Sequence, residues 1–419
     1  AMERIVASII TIGDELLIGQ VIDTNSAFIS QELNKIGVWV KRRVAVGDSK
    51  EEIIRALEEE SRDSNIIIMT GGLGPTADDI TKPVLAEYFG GKLVMNEEVR
   101  KHVVYLFEQV FRRPMIERNL KQAEVPDVCT VLPNARGTAP GMWFEKAGKV
   151  FVSLPGVPHE MKGLITTEVV PRLQQSFTMP FIGHRTLLTA GVGESFLAET
   201  IQHWEEKLPA HLKLAYLPNY GMVRLRITGW STDKEQLEQE LDTEFTTLKK
   251  LVQEWLVIDE DASLPMALSK LLRLKNKTMA TAESCTGGYL AHLITAIPGA
   301  SNIYKGSIIS YDNEIKISQL QVSPIILQKV GAVSEEVVTE MAAGVLAKLN
   351  TDYAVAVSGI MGPDGGSAEK PVGTVWVAAG DKHKLVTQKF QFRFDRDRNI
   401  EMTATQALNL LRKFIVENA

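Results

Sequence analysis

The stretch NIIIMTGG, residues 65–72, constrains the fold more than any other: an apolar, largely β-branched run without a polar break, closed by paired glycines. A strand apolar on both faces must be covered on both faces, which points to a parallel sheet with helices on either side. The flanking sequence agrees. RIVASIIT (4–11) and VWVKRRVAV read as strands, while SAFISQELNKIG and SKEEIIRALEEESR read as amphipathic helices. Further helices are expected around 79–89 and 96–110. KVFVSLPG is another strand, running into a Pro/Gly loop and the helix VPHEMKGLITTEVVPRL. The first domain, 1–170, is therefore a three-layer α/β unit.

Residues 171–258 change character. HRTLLTAGV, HLKLAYLP and GMVRLRITGW read as strands, alternating with GESFLAETIQHWEEKL and a long charged helix, STDKEQLEQELDTEFTTLKKLVQEW. This is a small α+β module. From 259 to 419 the α/β pattern returns: strand TMATA, a turn, helix GYLAHLIT, strand KGSIISY, and helix SEEVVTEMAAGVLAKLN, opened by a serine cap with Glu335 and Glu336 behind it. DYAVAVSG is a buried strand, and GTVWVAAG with KLVTQKFQF suggests an antiparallel pair before a last helix. Three domains are expected for a chain of 419 residues.

Composition narrows the function. Hydrophobic residues make up 45% and charged residues 23%, so each domain can build a core. The net charge of −6 opposes sequence-independent nucleic-acid binding, which needs a basic face. No apolar run reaches transmembrane length and no signal-peptide layout opens the sequence, so neither a membrane nor a secreted location is expected. Cys129 and Cys285 lack metal-type spacing and suit a reducing cytoplasm.

The turn TAESCTGG (281–288) places Ser284 between a strand and a helix. A serine hydroxyl attacks only if a base takes its proton and donors meet the oxyanion. Backbone amides at the helix start, with Gly287 and Gly288 allowing close approach, suit an oxyanion or a phosphate. Ser284 or Thr286 acting as a plain helix cap fits the same letters. No histidine stands nearby except His292, inside the helix. KGSIISYDNEIK offers Tyr311 and Lys316 instead: a desolvated lysine can act as base and a tyrosine can relay the proton, though both residues also suit a strand end and a solvated helix. VSGIMGPDGGSAEKPVGTVW adds a loop with Ser358, Gly359, Gly362, Gly365, Gly366 and Lys370 where α/β sheets bind ligands.

These three segments resemble the C-terminal domain of the CinA (competence/damage-inducible) family, whose stand-alone relatives are nicotinamide-mononucleotide deamidases. The resemblance rests on ESCTGG, PGAS…G…YxNxxK and SGxxGPxGG…KPVGTV, with Met361 where alanine is frequent. It implies a metal-free, cofactor-free amidase with Ser284, Tyr311 and Lys316 as the catalytic set. Glu283, Cys285, Thr286, Gly287, Gly288, Ser358, Gly359, Gly362, Gly365, Gly366 and Lys370 would then bind substrate. Cys285 adjoins the nucleophile, but without a histidine partner it reads as a packing residue.

GGLGPTADDIT (71–81) follows the strand NIIIMT and would offer amides to a phosphate, while Asp78 and Asp79 could hold a hydrated divalent cation or simply favour a helix dipole. TIGDELLIGQVIDTN brings Gly13, Asp14 and Glu15 to the same sheet edge. No GK[ST] follows the glycines, so a P-loop is excluded. The segment is similar to the molybdopterin-binding fold of the MoaB/MogA type, in the form found at the CinA N-terminus. That likeness implies metal-dependent hydrolysis of ADP-ribose to AMP and ribose 5-phosphate, with Mg2+ or a transition metal such as Co2+ at Asp78 and Asp79. Asn25, Gly71, Gly72, Gly74, Thr76, Asn134, Gly137, Thr138, Pro155 and Gly156 would complete the ligand site.

The middle module resembles the family's KH-like domain. GVGES does not fit a GxxG nucleic-acid loop, and the following helix carries Glu194, Glu199, Glu205 and Glu206 against Lys207. A spacer and homodimerisation role is expected, without nucleic acid.

Overall fold

In the computed structural model the described residues are 4–418. They form two compact units, one made by the chain through Gly183 with Gly229–Glu238, the other by His184–Thr228 and Gln239 onward. No described helix is long and apolar enough to cross a membrane.

The first unit holds a six-stranded sheet: β1 (Val6–Ile12), β2 (Trp39–Val46), β3 (Ile66–Thr70), β4 (Thr130–Leu132), β5 (Gly141–Lys146) and β6 (Lys149–Leu154), in the order β2-β1-β3-β6-β5-β4. β1 runs parallel to β2 and β3, and β3 parallel to β6; β5 and β4 complete the sheet antiparallel. Both faces are buried, as the unbroken apolar run requires. Ile9, Ile66, Ile68 and Val152 pack with Ile29 and Leu33 of α1 (Asn25–Lys35). Ile10, Ile67 and Met69 pack with Ile53 and Leu57 of α2 (Lys50–Asp63) on the other side.

Register sets where the loops meet. Ile12 pairs with Val46, Thr11 with Thr70, and Thr70 with Leu154, so four strands end together and the loops after them converge on one edge. The expected helix at 96–110 is α-helical only over Glu97–Tyr105 and closes in a π turn, Leu106–Val110. A second π turn, Ile165–Val169, precedes Pro171, whose missing amide breaks the regular ladder.

The four-stranded sheet of β7 (Phe181–Ala190), β8 (Leu212–Asn219), β9 (Met222–Ser231) and β10 (Leu256–Ile258) has the order β8-β9-β7-β10. Leu188, Ala190 and Met222 from it join the core of the C-terminal α/β part. There β11 (Met279–Glu283), β12 (Tyr304–Ile309), β13 (Tyr353–Gly359), β14 (Thr374–Gly380) and β15 (Leu385–Gln391) run in the order β12-β11-β13-β14-β15. β11 is parallel to both its neighbours, and β14–β15 form the expected antiparallel pair.

Four helices matter for the chemistry: α3 (Tyr289–Thr295), α4 (Asn313–Leu320), α5 (Glu335–Leu349) and α6 (Arg396–Glu417). Val338, Met341 and Val345 of α5 cover the alanine-lined face built from Ala280, Ala282, Ala354 and Ala356. Leu408, Leu411 and Phe414 of α6 cover Val355, Val357 and Val377 on the reverse face. The α5 face of the sheet is thus packed with small side chains and the α6 face with larger ones.

Candidate functional site

Central strand β11 ends at Glu283, paired with Ile309 on one side and Val357 on the other, so the next residue, Ser284, leaves the sheet at its C-terminal edge. Its amide donates to the Val357 carbonyl at 3.2 Å, and the side chain is buried. Lys316 comes from α4 and is 1% exposed. Its Nζ donates to Ser284 Oγ at 2.9 Å, to the Ser310 carbonyl at 2.7 Å and to the Tyr311 carbonyl at 2.9 Å. Burial pulls the Lys316 amine below the ordinary lysine value. The two carbonyls fix two Nζ–H bonds, so in the neutral amine the lone pair faces the serine hydroxyl. That is the geometry of a general base on a nucleophile.

Tyr311 meets Lys316 through its main chain. Tyr311 as a whole is 64% exposed, unlike the buried Ser284 and Lys316. Cys285 is packed into the core, and burial pushes its thiol up to about 12, which leaves no thiolate near neutral pH. The turn beyond it needs glycine: Gly287 and Gly288 have φ of 56° and 102°.

Several residues expected to contact substrate are engaged by the protein itself. Glu283 is fully buried and its carboxylate accepts from Thr286 Oγ1, the amides of Gly288, Leu290 and Ala291, and Thr281 Oγ1, so it faces the fold and not a ligand. Gly288 thereby spends its amide on Glu283, and Gly287 donates to the Ser284 carbonyl at 3.2 Å. Among the described residues the turn amides that bond to no other residue are those of Cys285 and Thr286, the Cys285 amide lying against its own thiol. Ser358 donates its hydroxyl to the Ala332 carbonyl at 2.9 Å, and Lys370 donates its amine to the Val330 carbonyl. Both tie the β13 loop to the end of the Pro324–Val330 helix, Lys370 at its last residue and Ser358 just beyond it. In that loop Gly362, Gly365 and Gly366 all have positive φ, while Gly359 closes β13 opposite Val375.

Arg396 is a site residue that sequence reasoning missed. It opens α6, with Nη1 donating to the Gly362 carbonyl at 2.6 Å, and its charge acts on the Cys285 thiol. A cation in the first turn of a helix opposes the dipole, and that conflict was the available signal.

In the first unit, a cavity of about 350 Å3 is lined by Asn25, Gly71, Gly72, Gly74, Asp79 and Gly156, among others. Asn25 Nδ2 donates to the Gly156 carbonyl at 2.8 Å, and Thr70 Oγ1 to the Pro155 carbonyl at 3.0 Å. Gly71 (φ 111°) would drive a Cβ to 2.2 Å from the Ile12 carbonyl oxygen. Gly13 donates its amide to Val46.

Of the expected pair, Asp79 is bonded within its own loop and Asp78 is exposed. Asp79 Oδ2 takes both the amide and the hydroxyl of Thr76, at 3.0 and 2.7 Å. Asp14 and Asp48 exchange amide-to-carboxylate bonds at 3.0 and 3.2 Å. Burial raises Asp48, the bond from the Asp14 amide pulls it back, and the charges of Asp14, Glu15 and Asp79 raise it further; the exposed Asp78 is not among them. Asn134, Gly137 and Thr138 line a different cavity, of about 590 Å3, beside Val99 and His102. Asn134 Nδ2 there donates to Ala139 O and Glu160 Oε1, and a Cβ on Gly137 would strike Glu160.

Comparison with known proteins now decides the lineage. A "CinA-like protein" of Cytophaga hutchinsonii is 48% identical over 414 residues, 99% of each chain. The chain belongs to the CinA family. A second CinA-like protein, from Flavobacterium psychrophilum, is 46% identical over 98% of this chain and 99% of its own. Family profiles match in three segments: a probable molybdopterin binding domain at 8–175, the damage-inducible protein CinA KH domain at 184–256, and the CinA C-terminal domain at 261–415. The fold is thus the mixed α/β arrangement expected, with a molybdopterin-binding-like first domain, a KH-like middle and the CinA C-terminal domain. Among solved structures, the competence/damage inducible protein CihA of Agrobacterium tumefaciens is 34% identical, covering 36% of this chain and 93% of its own, at a TM-score of 0.36.

Proposed function

We propose that the C-terminal CinA domain hydrolyses the carboxamide of nicotinamide mononucleotide, giving nicotinate mononucleotide and ammonia. The observation that carries this reading is the buried amine of Lys316 on the hydroxyl of Ser284, held by two main-chain carbonyls. Ser284 Oγ attacks the amide carbon as its proton passes to neutral Lys316 Nζ. The oxyanion meets the Cys285 and Thr286 amides. Collapse breaks the C–N bond, and Lys316 returns the proton to the departing nitrogen as ammonia. Water, deprotonated by the same amine, then splits the acyl-serine to the carboxylate and restores the enzyme. Arg396 is the cation that suits the substrate phosphate.

The test is ammonia and nicotinate mononucleotide formed from nicotinamide mononucleotide, wild type beside Ser284→Ala, with and without a chelator. Chelator-insensitive turnover that vanishes in the variant supports the reading. Equal turnover in both proteins sinks the nucleophile assignment, and none in either favours a ligand-binding role.

For the first unit the reading is hydrolysis of ADP-ribose-type pyrophosphates, with ADP-ribose as the substrate to assay. The donor chemistry fits a hydrated divalent cation: Asp79 lines the glycine-loop cavity, and Asp48, bonded to Asp14, lies within electrostatic reach of it. Among the described residues no three His, Cys, Asp or Glu groups converge as an all-protein metal cage, so substrate and water oxygens would fill the remaining positions. Such a cation would offset pyrophosphate charge, while the amides of the Gly72–Gly74 loop would hold the phosphates; that of Gly71 is taken by the Leu154 carbonyl. Loss of ADP-ribose cleavage on adding chelator, with deamidation retained, is the expected result; cleavage that survives chelation would remove the metal from this reading.

A further inference from the structure

Glu283 has no part in the proposed proton transfers, yet it is the most heavily bonded carboxylate beside Ser284. It ends β11, fully buried. Oε1 accepts from Thr286 Oγ1 at 2.7 Å, Gly288 N at 3.1 Å and Leu290 N at 3.0 Å. Oε2 accepts from Ala291 N and Thr281 Oγ1, each at 3.0 Å. Thr281 Oγ1 also meets Ser307 Oγ, which meets the Tyr304 hydroxyl, so the carboxylate anchors into β12 as well.

This changes the electrostatics of the turn. The free amides and positive dipole end of α3 would suit an external anion, but the chain supplies its own. A substrate phosphate therefore finds the helix start already neutralised. Clamping 286–291 from below leaves the Cys285 and Thr286 amides as the turn donors bonded to no other residue.

We propose that Glu283 is a positioning residue: its buried carboxylate locks the 284–291 turn so that the Cys285 and Thr286 amides are aimed where the oxyanion develops. The inference rests on the amidase reading above. Glutamine is the informative replacement. It matches the shape, but its NH2 group would face an amide or hydroxyl donor where the second carboxylate oxygen now accepts.

In Glu283→Gln, kcat for nicotinamide mononucleotide is expected to fall about 100-fold or more, the scale of losing an oxyanion donor. KM should stay within about threefold, and the alkaline-rising limb set by Lys316 should keep its midpoint, because Lys316 is held by Ser310 and Tyr311. Labelling of Ser284 by a fluorophosphonate, read by intact mass with Ser284→Ala as blank, should slow in parallel. That second readout needs no particular substrate. If wild type is labelled but does not deamidate the nucleotide, the substrate reading fails and the labelling rates still judge the clamp.

Thermal melting checks that Glu283→Gln folds. If it does not, Thr281→Val and Thr286→Val each remove one donor, and each should slow labelling about tenfold or more, the scale of one hydrogen bond to a charged group. Labelling and kcat within about threefold of wild type in folded Glu283→Gln, or in both threonine variants, would overturn the proposal. So would a raised KM at unchanged kcat, which would make Glu283 a substrate contact.

Discussion

Lys316 Nζ lies 2.9 Å from Ser284 Oγ although the residues are 32 positions apart, because parallel pairing of β11 with β12 brings the start of α4 back beside the nucleophile turn. Only the neutral amine can take the serine proton, and burial is what favours that form. Activity should therefore rise with pH as Lys316 loses its proton, with a midpoint below the ordinary lysine value of 10.5. A kcat/KM profile on nicotinamide mononucleotide measures it. Lys316→Met should remove the limb and lower kcat by about 100-fold or more. A limb that persists in that variant would belong to another group.

Cys285 touches the nucleophile in sequence but not in chemistry. Its thiol, pushed up to about 12 by burial, stays protonated at neutral pH. Cys285→Ala should keep kcat within about threefold, at a stability cost of about 1 kcal/mol for the small space left behind. Thiol-directed reagents should modify the folded protein slowly, followed by mass. Rapid modification coupled to lost activity would reopen the thiol as nucleophile.

How far the sequence reaches is visible residue by residue. Ser284 and Lys316 could be singled out because a strand-to-helix turn and a lysine after a strand are local patterns; that their side chains meet, and that no side chain caps the helix at Gly288, is visible only in the structure. Glu283 could not be read as a clamp, since the letters ESCTGG do not say which way the last strand residue points. The reciprocal bonding of Asp14 and Asp48, 34 positions apart, depends on β1 and β2 ending in register, a tertiary fact. Asp78 was the more conspicuous letter, yet it lies on the exposed side of its loop. Asn134 and Gly137 look like loop ligands in sequence, but Glu160 claims the space and the hydrogen bond.

Arg396 binds Gly362 through one guanidinium nitrogen and keeps further donors for a ligand. Arg396→Gln should raise KM for nicotinamide mononucleotide about tenfold or more, as expected for one charge-assisted hydrogen bond, with kcat within about threefold. The effect should shrink with the phosphate-free nucleoside. A fall in kcat at constant KM would instead make Arg396 a support for the glycine loop.

Asp48 ties the first unit's carboxylates to pH. Burial and the charges of Asp14, Glu15 and Asp79 raise it above 3.8, so between that value and its folded value the native state holds more protons than the unfolded chain. Stability contributed by the protonated group is present below 3.8 and is lost as pH rises through the folded value, leaving like charges opposed at neutral pH. A divalent cation reverses the balance by pairing with those charges. Asp48→Asn should therefore melt at a higher temperature than wild type at about pH 7 without metal, and the two proteins should converge at acidic pH. Added Mg2+ should raise the wild-type melting temperature more than that of Asp48→Asn. Equal Mg2+ shifts in both proteins would exclude Asp48 from the cation site, and a lower melting temperature for the variant at neutral pH would mean that its bond to Asp14 outweighs the repulsion.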